Sequence, residues 1–165
     1  MSIVQSFISE IKHEANNTRK LLQLVPEEHF DYKPHEKSMS LKSLAKHIAL
    51  LHSWPGLIAT TSELDLASND MPRPSVHNTD ELVASFDAAL KDSLGNLANV
   101  NDSDLDAMWT LKSGGHVLLQ MPRAVFIRSM ALNHAVHHRA QLGVYLRLLN
   151  IPIPGMYGPS ADDQG

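Results

Sequence analysis

The chain of 165 residues contains no cysteine. That excludes disulfides, thiolate metal sites and a protein-borne thiol nucleophile, and it is compatible with a reducing compartment. Basic charge is not in excess either: 14 Lys plus Arg stand against 18 Asp plus Glu, a formal net charge of −4. The electrostatic footprint of a nucleic-acid binder is therefore missing, and no nucleic-acid partner is expected. No uncharged run approaches the roughly 18 apolar residues of a membrane span. Met1 to Glu10 holds one short apolar patch and lacks the basic stretch of a signal peptide. A cytoplasmic protein without a membrane partner is the expectation. There is no internal repeat and no low-complexity tract. The length suits a single domain, residues 1–165, which can bury about 70% of its unfolded surface and so hold a core without staples.

Histidine is what the chain has in quantity, with ten residues. Without cysteine, any transition-metal site must be built from imidazole and carboxylate.

Hydrophobic spacing predicts four helices. Ile3, Val4, Phe7, Ile8, Ile11, Ala15, Thr18, Leu21, Leu22 and Val25 recur at steps of three and four, which predicts an amphipathic helix over about Ser2 to Leu24. A loop punctuated by Pro26 and Pro34 follows. Ser40 then has the character of an N-cap for a second helix carrying Leu41, Leu44, Ala45, His47, Ile48, Leu51, Leu57 and Ile58, kinked or interrupted at Pro55. Ser68 to Asn78 reads as a loop around Pro72 and Pro74. Asn78 or Thr79 opens a third helix, with Asn78-x-x-Glu81 resembling a capping box. Asn99 to Asp104 is a polar break. Ser113-Gly114-Gly115 between short apolar runs suggests a small hairpin or ordered loop. Pro122 suits the first turn of a fourth helix reaching about Leu149, and a Pro- and Gly-rich tail from Asn150 should lie on the surface as coil. The expected fold is all-α, a four-helix bundle with a short hairpin or ordered loop before the last helix.

Helix four carries Asn133-His134-Ala-Val-His137-His138-Arg139. Residues four apart differ by about 40° around a helix, so His134 and His138 project from one face and can chelate one divalent ion. His137 is about 60° and 100° away from them and fits less well. Taken alone, the pair is equally compatible with capped or surface imidazoles. A site needs a third ligand from another helix. His47 is the best candidate, flanked by Leu44, Ile48 and Leu51 on the inward face, and His52 is second choice. Three histidines in a bundle core would leave a coordination position for water or substrate, as catalytic sites do. Imidazole accepts Zn, Ni, Fe and Co alike. Trp54, Trp109 and Tyr145 read as packing groups, and Arg139 as an ion-pair partner on the bundle surface. His13, His29, His35, His77, His116 and His137 read as surface or loop residues. No Asp, Glu or Ser stands out as a general base or nucleophile.

Three passages together resemble the DinB-like (DinB/YfiT) family over nearly the whole chain: VPEEHFDYKPHEKSMSLKSLAKHIALLHSW, NHAVHHRAQLGVYLRLL and the closing IPIPGMYGPSAD. The family's single histidine on helix two aligns with His47. Its His-x-x-x-His pair followed by Arg and Gln aligns with His134, His138, Arg139 and Gln141. The resemblance implies a four-helix bundle that binds one divalent transition metal, often Ni or Zn, through those three histidines, commonly as a homodimer. It also implies, for some relatives, thiol-dependent transferase or isomerase chemistry using a low-molecular-weight thiol such as mycothiol or bacillithiol. The chain departs from the pattern at Ala140, where family members often have Gly.

The leading expectation is a metal-dependent enzyme with His47, His134 and His138 as ligands. It would present water or an exogenous thiolate to a small electrophilic molecule. The alternatives are a non-catalytic dimeric metal- or ligand-binding helical module, and a metal-dependent hydrolase that needs no thiol.

Overall fold

A computed structural model describes residues 2–68 and 75–164. Helix α1, Ile3–Leu22, follows the predicted span closely and buries its apolar stripe from Val4 to Leu22. Its first turn leaves backbone N–H groups without helical partners. The Ser2 hydroxyl accepts from Gln5 N–H at 3.1 Å, and the Asp102 carboxylate accepts from Ile3 and Val4 at 2.9 and 3.0 Å.

The second predicted helix is two. Helix α2, Leu41–Leu51, starts at Ser40, whose hydroxyl accepts from Ser43 N–H. After a turn at His52 and Ser53 the chain re-enters helix as α3, Trp54–Thr60. Pro55 sits in the first turn of α3, where a missing N–H costs nothing, so it opens a helix rather than bending one. The next residue must be glycine: a Cβ at Gly56 would stand 2.6 Å from Ser93 Cα of the facing helix. The Ser93 hydroxyl accepts the Gly56 N–H at 2.8 Å and ties the two helices together.

The expected loop around Pro72 and Pro74 lies outside the described residues. Helix α4, Thr79–Leu97, is capped by Asn78, whose side-chain oxygen accepts from Glu81 N–H at 2.7 Å. The reciprocal half of the expected capping box differs: the Glu81 carboxylate accepts from His77 N–H, one residue before the cap.

The all-α expectation needs correction, because a three-stranded sheet accompanies the helices among the described residues. Strand β1, Glu63–Asp65, pairs in parallel with β2, Met108–Ser113, which pairs antiparallel with β3, His116–Pro122. The hairpin turn falls at Gly114 and Gly115, both at positive φ, which glycine adopts without strain. Their N–H groups donate to the Asp65 carboxylate at 2.9 and 2.8 Å, so β1 clamps the turn. The polar break is a short 3-10 segment, Asp102–Asp106.

The last predicted helix has three parts: α5, Arg123–Phe126, a π-helical segment, Ile127–Asn133, and α6, His134–Leu148. Pro122 closes β3 and precedes the helix rather than lying in its first turn. Asn150, at φ 59°, ends α6 in a left-handed cap. Its N–H donates to the Arg147 carbonyl and that of Ile151 to the Leu146 carbonyl, both at 3.0 Å. The tail is irregular apart from a short 3-10 segment, Ala161–Gln164.

Helix α2 packs against both α4 and α6. Leu41, Leu44, Ala45 and Ile48 are fully buried there with Phe86, Leu142 and Leu146. At about 1.5–3 kcal/mol for each fully buried Leu, Ile or Phe side chain, this packing sets how α2 faces α6. A second cluster joins α1, α3, the sheet and the π-helical segment around Trp109, whose ring meets Phe126 edge-on at 4.6 Å and whose indole N–H donates to Thr61 Oγ1. No helix among the described residues is long and apolar enough to cross a membrane.

Candidate metal centre

His47 lies in the middle of α2, between the fully buried Leu44 and Ile48, and is itself half-buried. His134 opens α6 directly after the π-helical segment, and His138 stands one turn further on. Packing of α2 on α6 brings the three rings together. His47 Nε2 is 3.4 Å from His134 Nε2, which is 2.8 Å from His138 Nε2. One ligand atom from each residue falls within 4.8 Å of the others, and no other such group of His, Asp or Glu occurs among the described residues. The ring centroids are 4.6–5.1 Å apart.

Two of the outer ring nitrogens are engaged. His134 Nδ1 is 3.3 Å from the Met130 carbonyl oxygen, which can only accept, so the ring's proton lies on Nδ1. His138 Nδ1 is 2.7 Å from Gln141 Oε1, and the amide NH2 of Gln141 lies 3.1 Å from His137 Nε2, an orientation in which the amide oxygen accepts from His138. In the neutral rings both Nε2 atoms then carry lone pairs, and these face each other at 2.8 Å. Such a contact is repulsive unless a cation lies between them. Two ligands about 2.0–2.1 Å from one ion stand about 2.8–3.4 Å apart for angles of 90–109°. The observed 2.8 and 3.4 Å match that spacing closely, so the residues present fit a metal ion.

Electrostatics favour the uncharged form of His47 and His134. Burial, then the neighbouring His138 and His134, lowers the His47 pKa to about 4. Burial and His138 lower that of His134. Uncharged imidazole is the metal-binding form.

His52, the second choice for third ligand, points elsewhere. It is buried against Phe86, with ring centroids 4.7 Å apart, and its Nδ1 lies 2.9 Å from the Ile48 carbonyl. Burial lowers its pKa to about 4. His137 is exposed, as expected. Trp54, Trp109 and Tyr145 are buried packing groups.

Arg139 corrects the expectation of a surface ion pair. It is buried, with Nη2 donating to Glu14 Oε2 at 2.5 Å and Nη1 to the Glu14 carbonyl and Thr18 Oγ1 at 2.9 and 3.2 Å. It also donates to the Tyr157 hydroxyl, which in turn donates to Glu14 Oε2. The sequence pattern shows that 139 lies about 100° around the helix from 138, away from the imidazoles, but not which acid reaches it. Residue spacing also left Gln141 without a role, although its position three after His138 places it on the same side of the helix. The Met130 carbonyl was beyond sequence reading, because it depends on the π-helical segment.

His47 also lines a cleft of about 750 Å³ between α2 and α4, open to solvent. All three histidines are half-buried, and His47 borders this cleft.

The family model described as the DinB family matches residues 1–164. The uncharacterized protein YjoA of Bacillus subtilis (strain 168) is 27% identical over 152 residues, which span 88% of this chain and 87% of that protein. The crystal structure of a DinB-like protein, YjoA from B. subtilis, superposes with a TM-score of 0.74 at 21% identity, covering 94% of this chain and 99% of that one. A DinB-like protein from Bacillus cereus ATCC 10987 gives a TM-score of 0.70 at 21% identity, covering 93% and 97%.

Proposed function

Because the chain belongs to the DinB family, we propose that His47, His134 and His138 hold one divalent transition metal, Ni or Zn, in an enzyme acting on small electrophilic molecules. The observation that supports this reading is the pair of Nε2 lone pairs facing each other at 2.8 Å, with the His134 and His138 protons engaged on the outer nitrogens. A divalent ion supplies Lewis acidity, lowering the pKa of a nucleophile brought to it.

The chain's own residues do the positioning. The Met130 carbonyl and the Gln141 amide fix the tautomer and rotation of their imidazoles and raise the basicity of the inward nitrogens. With His47, His134 and His138 as its protein ligands, an ion would keep a coordination position for water or substrate, as in catalytic rather than closed structural sites. With no cysteine in the chain, a thiol nucleophile must come from an external low-molecular-weight thiol. Thiol-dependent transferase or isomerase chemistry would need that cosubstrate, whereas hydrolysis would not.

Metal analysis of the purified protein tests the assignment. One ion per chain is expected, and its loss in the His134→Ala/His138→Ala variant. Unchanged stoichiometry in that variant ends the proposal. A panel of electrophiles and esters, run with and without added thiol, then distinguishes the chemistries, with turnover only in the presence of thiol expected.

A further inference from the structure

The cleft beside His47 carries features that the three imidazoles do not explain. We propose that it binds a small anionic molecule with an apolar body, its charge held by Lys46 and its body lying between α2 and α4. In taking this molecule to be the substrate class, the inference rests on the function proposed above.

The cleft's volume of about 750 Å³ lies within the roughly 300–1,000 Å³ of small-molecule sites. Leu50, Leu82 and Ala89 contribute apolar wall, and Lys46 and His47 enter from α2 as adjacent residues. Lys46 is half-buried and, among the described residues, has no ion-pair partner. An ammonium group on the cleft wall with no counter-charge paired to it favours an anion beside it. Asp92 also lines the cleft, from α4, and is exposed and unpaired among the described residues. Its charge disfavours an anion at its own wall, so the two groups orient the molecule with its negative end toward Lys46. Lys46 and His47 both line the cleft, so the wall that holds the negative end also carries His47.

Octanoate is the probe, titrated calorimetrically into both metal-free and zinc-loaded protein, with octylamine as the charge-reversed control. We expect octanoate to bind both forms, Lys46→Ala to weaken it about tenfold in both, and octylamine not to bind the metal-free form. Ala89→Trp, which narrows the cleft, should weaken binding while leaving the zinc content unchanged. Affinity unaffected by Lys46→Ala overturns the proposal. So does octanoate binding confined to the zinc-loaded form, which makes the anion a metal ligand and leaves the proposed function standing. A failure to take up zinc would defeat the proposed function instead, and binding to the metal-free form would still decide the cleft. An increase in mass with protein concentration that Ala89→Trp abolishes would assign the cleft to a second copy of the chain and overturn the proposal.

Discussion

The hydrogen bond from His138 Nδ1 to Gln141 Oε1 is 2.7 Å long, the shortest of the contacts that orient the imidazoles. Removing such a partner of a ligand histidine typically costs 10–100-fold in metal affinity. Gln141→Ala should therefore weaken metal binding by about that factor in a chelator competition, without changing stoichiometry at saturating metal. An unchanged affinity would show that the amide has no part in holding the ring. A different histidine reports on pH. His52 titrates at about 4 in the fold against an ordinary 6.5, because burial penalises its charged form, with Arg139 acting the same way and the Ile48 carbonyl and Glu14 opposing. A depressed base leaves the folded state short of a proton that the unfolded chain binds. Stability linked to His52 is thus full above about pH 6.5 and falls as pH drops toward 4. Urea unfolding of metal-free wild type and His52→Gln should show the wild type's advantage narrowing across that window. Residue identities made two of the three ring positions readable from spacing, and the third from its apolar flanks. They did not show that His52, the second choice, turns back onto its own helix, since that depends on how Phe86 of α4 meets it.

At the scale of elements, what was readable depended on length. The long stripes of α1 and α4 repeat several times and define their helices almost to the residue, whereas β1 is three residues whose Glu-Leu-Asp pattern has no period to detect. Its existence follows from pairing with β2 about forty-five residues later in the chain, and such long-range pairing leaves little local signal. The π-helical segment is hidden for another reason: seven residues of ordinary helical composition adopt a wider turn, and such segments recur at functional sites. The Ser113-Gly114-Gly115 turn was readable, but not the side chain that secures it. Asp65 accepts from both glycine amides and from Ala67, and these bonds, that of Ala67 foremost, hold its carboxyl below the usual range. Asp65→Ala should free the turn and raise amide hydrogen exchange at Gly114 and Gly115, while leaving the amides of α2 and α6 protected. Equal protection at the turn in the variant would show that the strands hold it unaided.

Over the whole molecule, one buried ion pair joins three distant parts of the chain: Glu14 of α1, Arg139 of α6 and Tyr157 of the tail. Burial pushes the Glu14 carboxyl up, but hydrogen bonds from Tyr157 and Arg139 outweigh it and leave the group below its ordinary 4.5. The stabilisation is therefore present above about pH 4.5 and is lost as pH falls through the lower folded value. Breaking such a pair from one side leaves a buried charge without compensation, at a cost of about 3–5 kcal/mol. Glu14→Leu should therefore lower the unfolding free energy at pH 7 by about 3 kcal/mol and flatten its decline toward acid. The double variant Glu14→Leu/Arg139→Met removes both charges and should recover most of the loss, because apolar replacements of a buried pair are often neutral. Arg139 directly follows His138, so the same variant separates the two roles of α6. If the pair serves only the docking of helix and tail, the double variant keeps its metal stoichiometry in solution analysis. If its metal falls away while stability is recovered, the guanidinium acts on the imidazoles through the helix it anchors, and the buried pair belongs to the centre as well as to the fold.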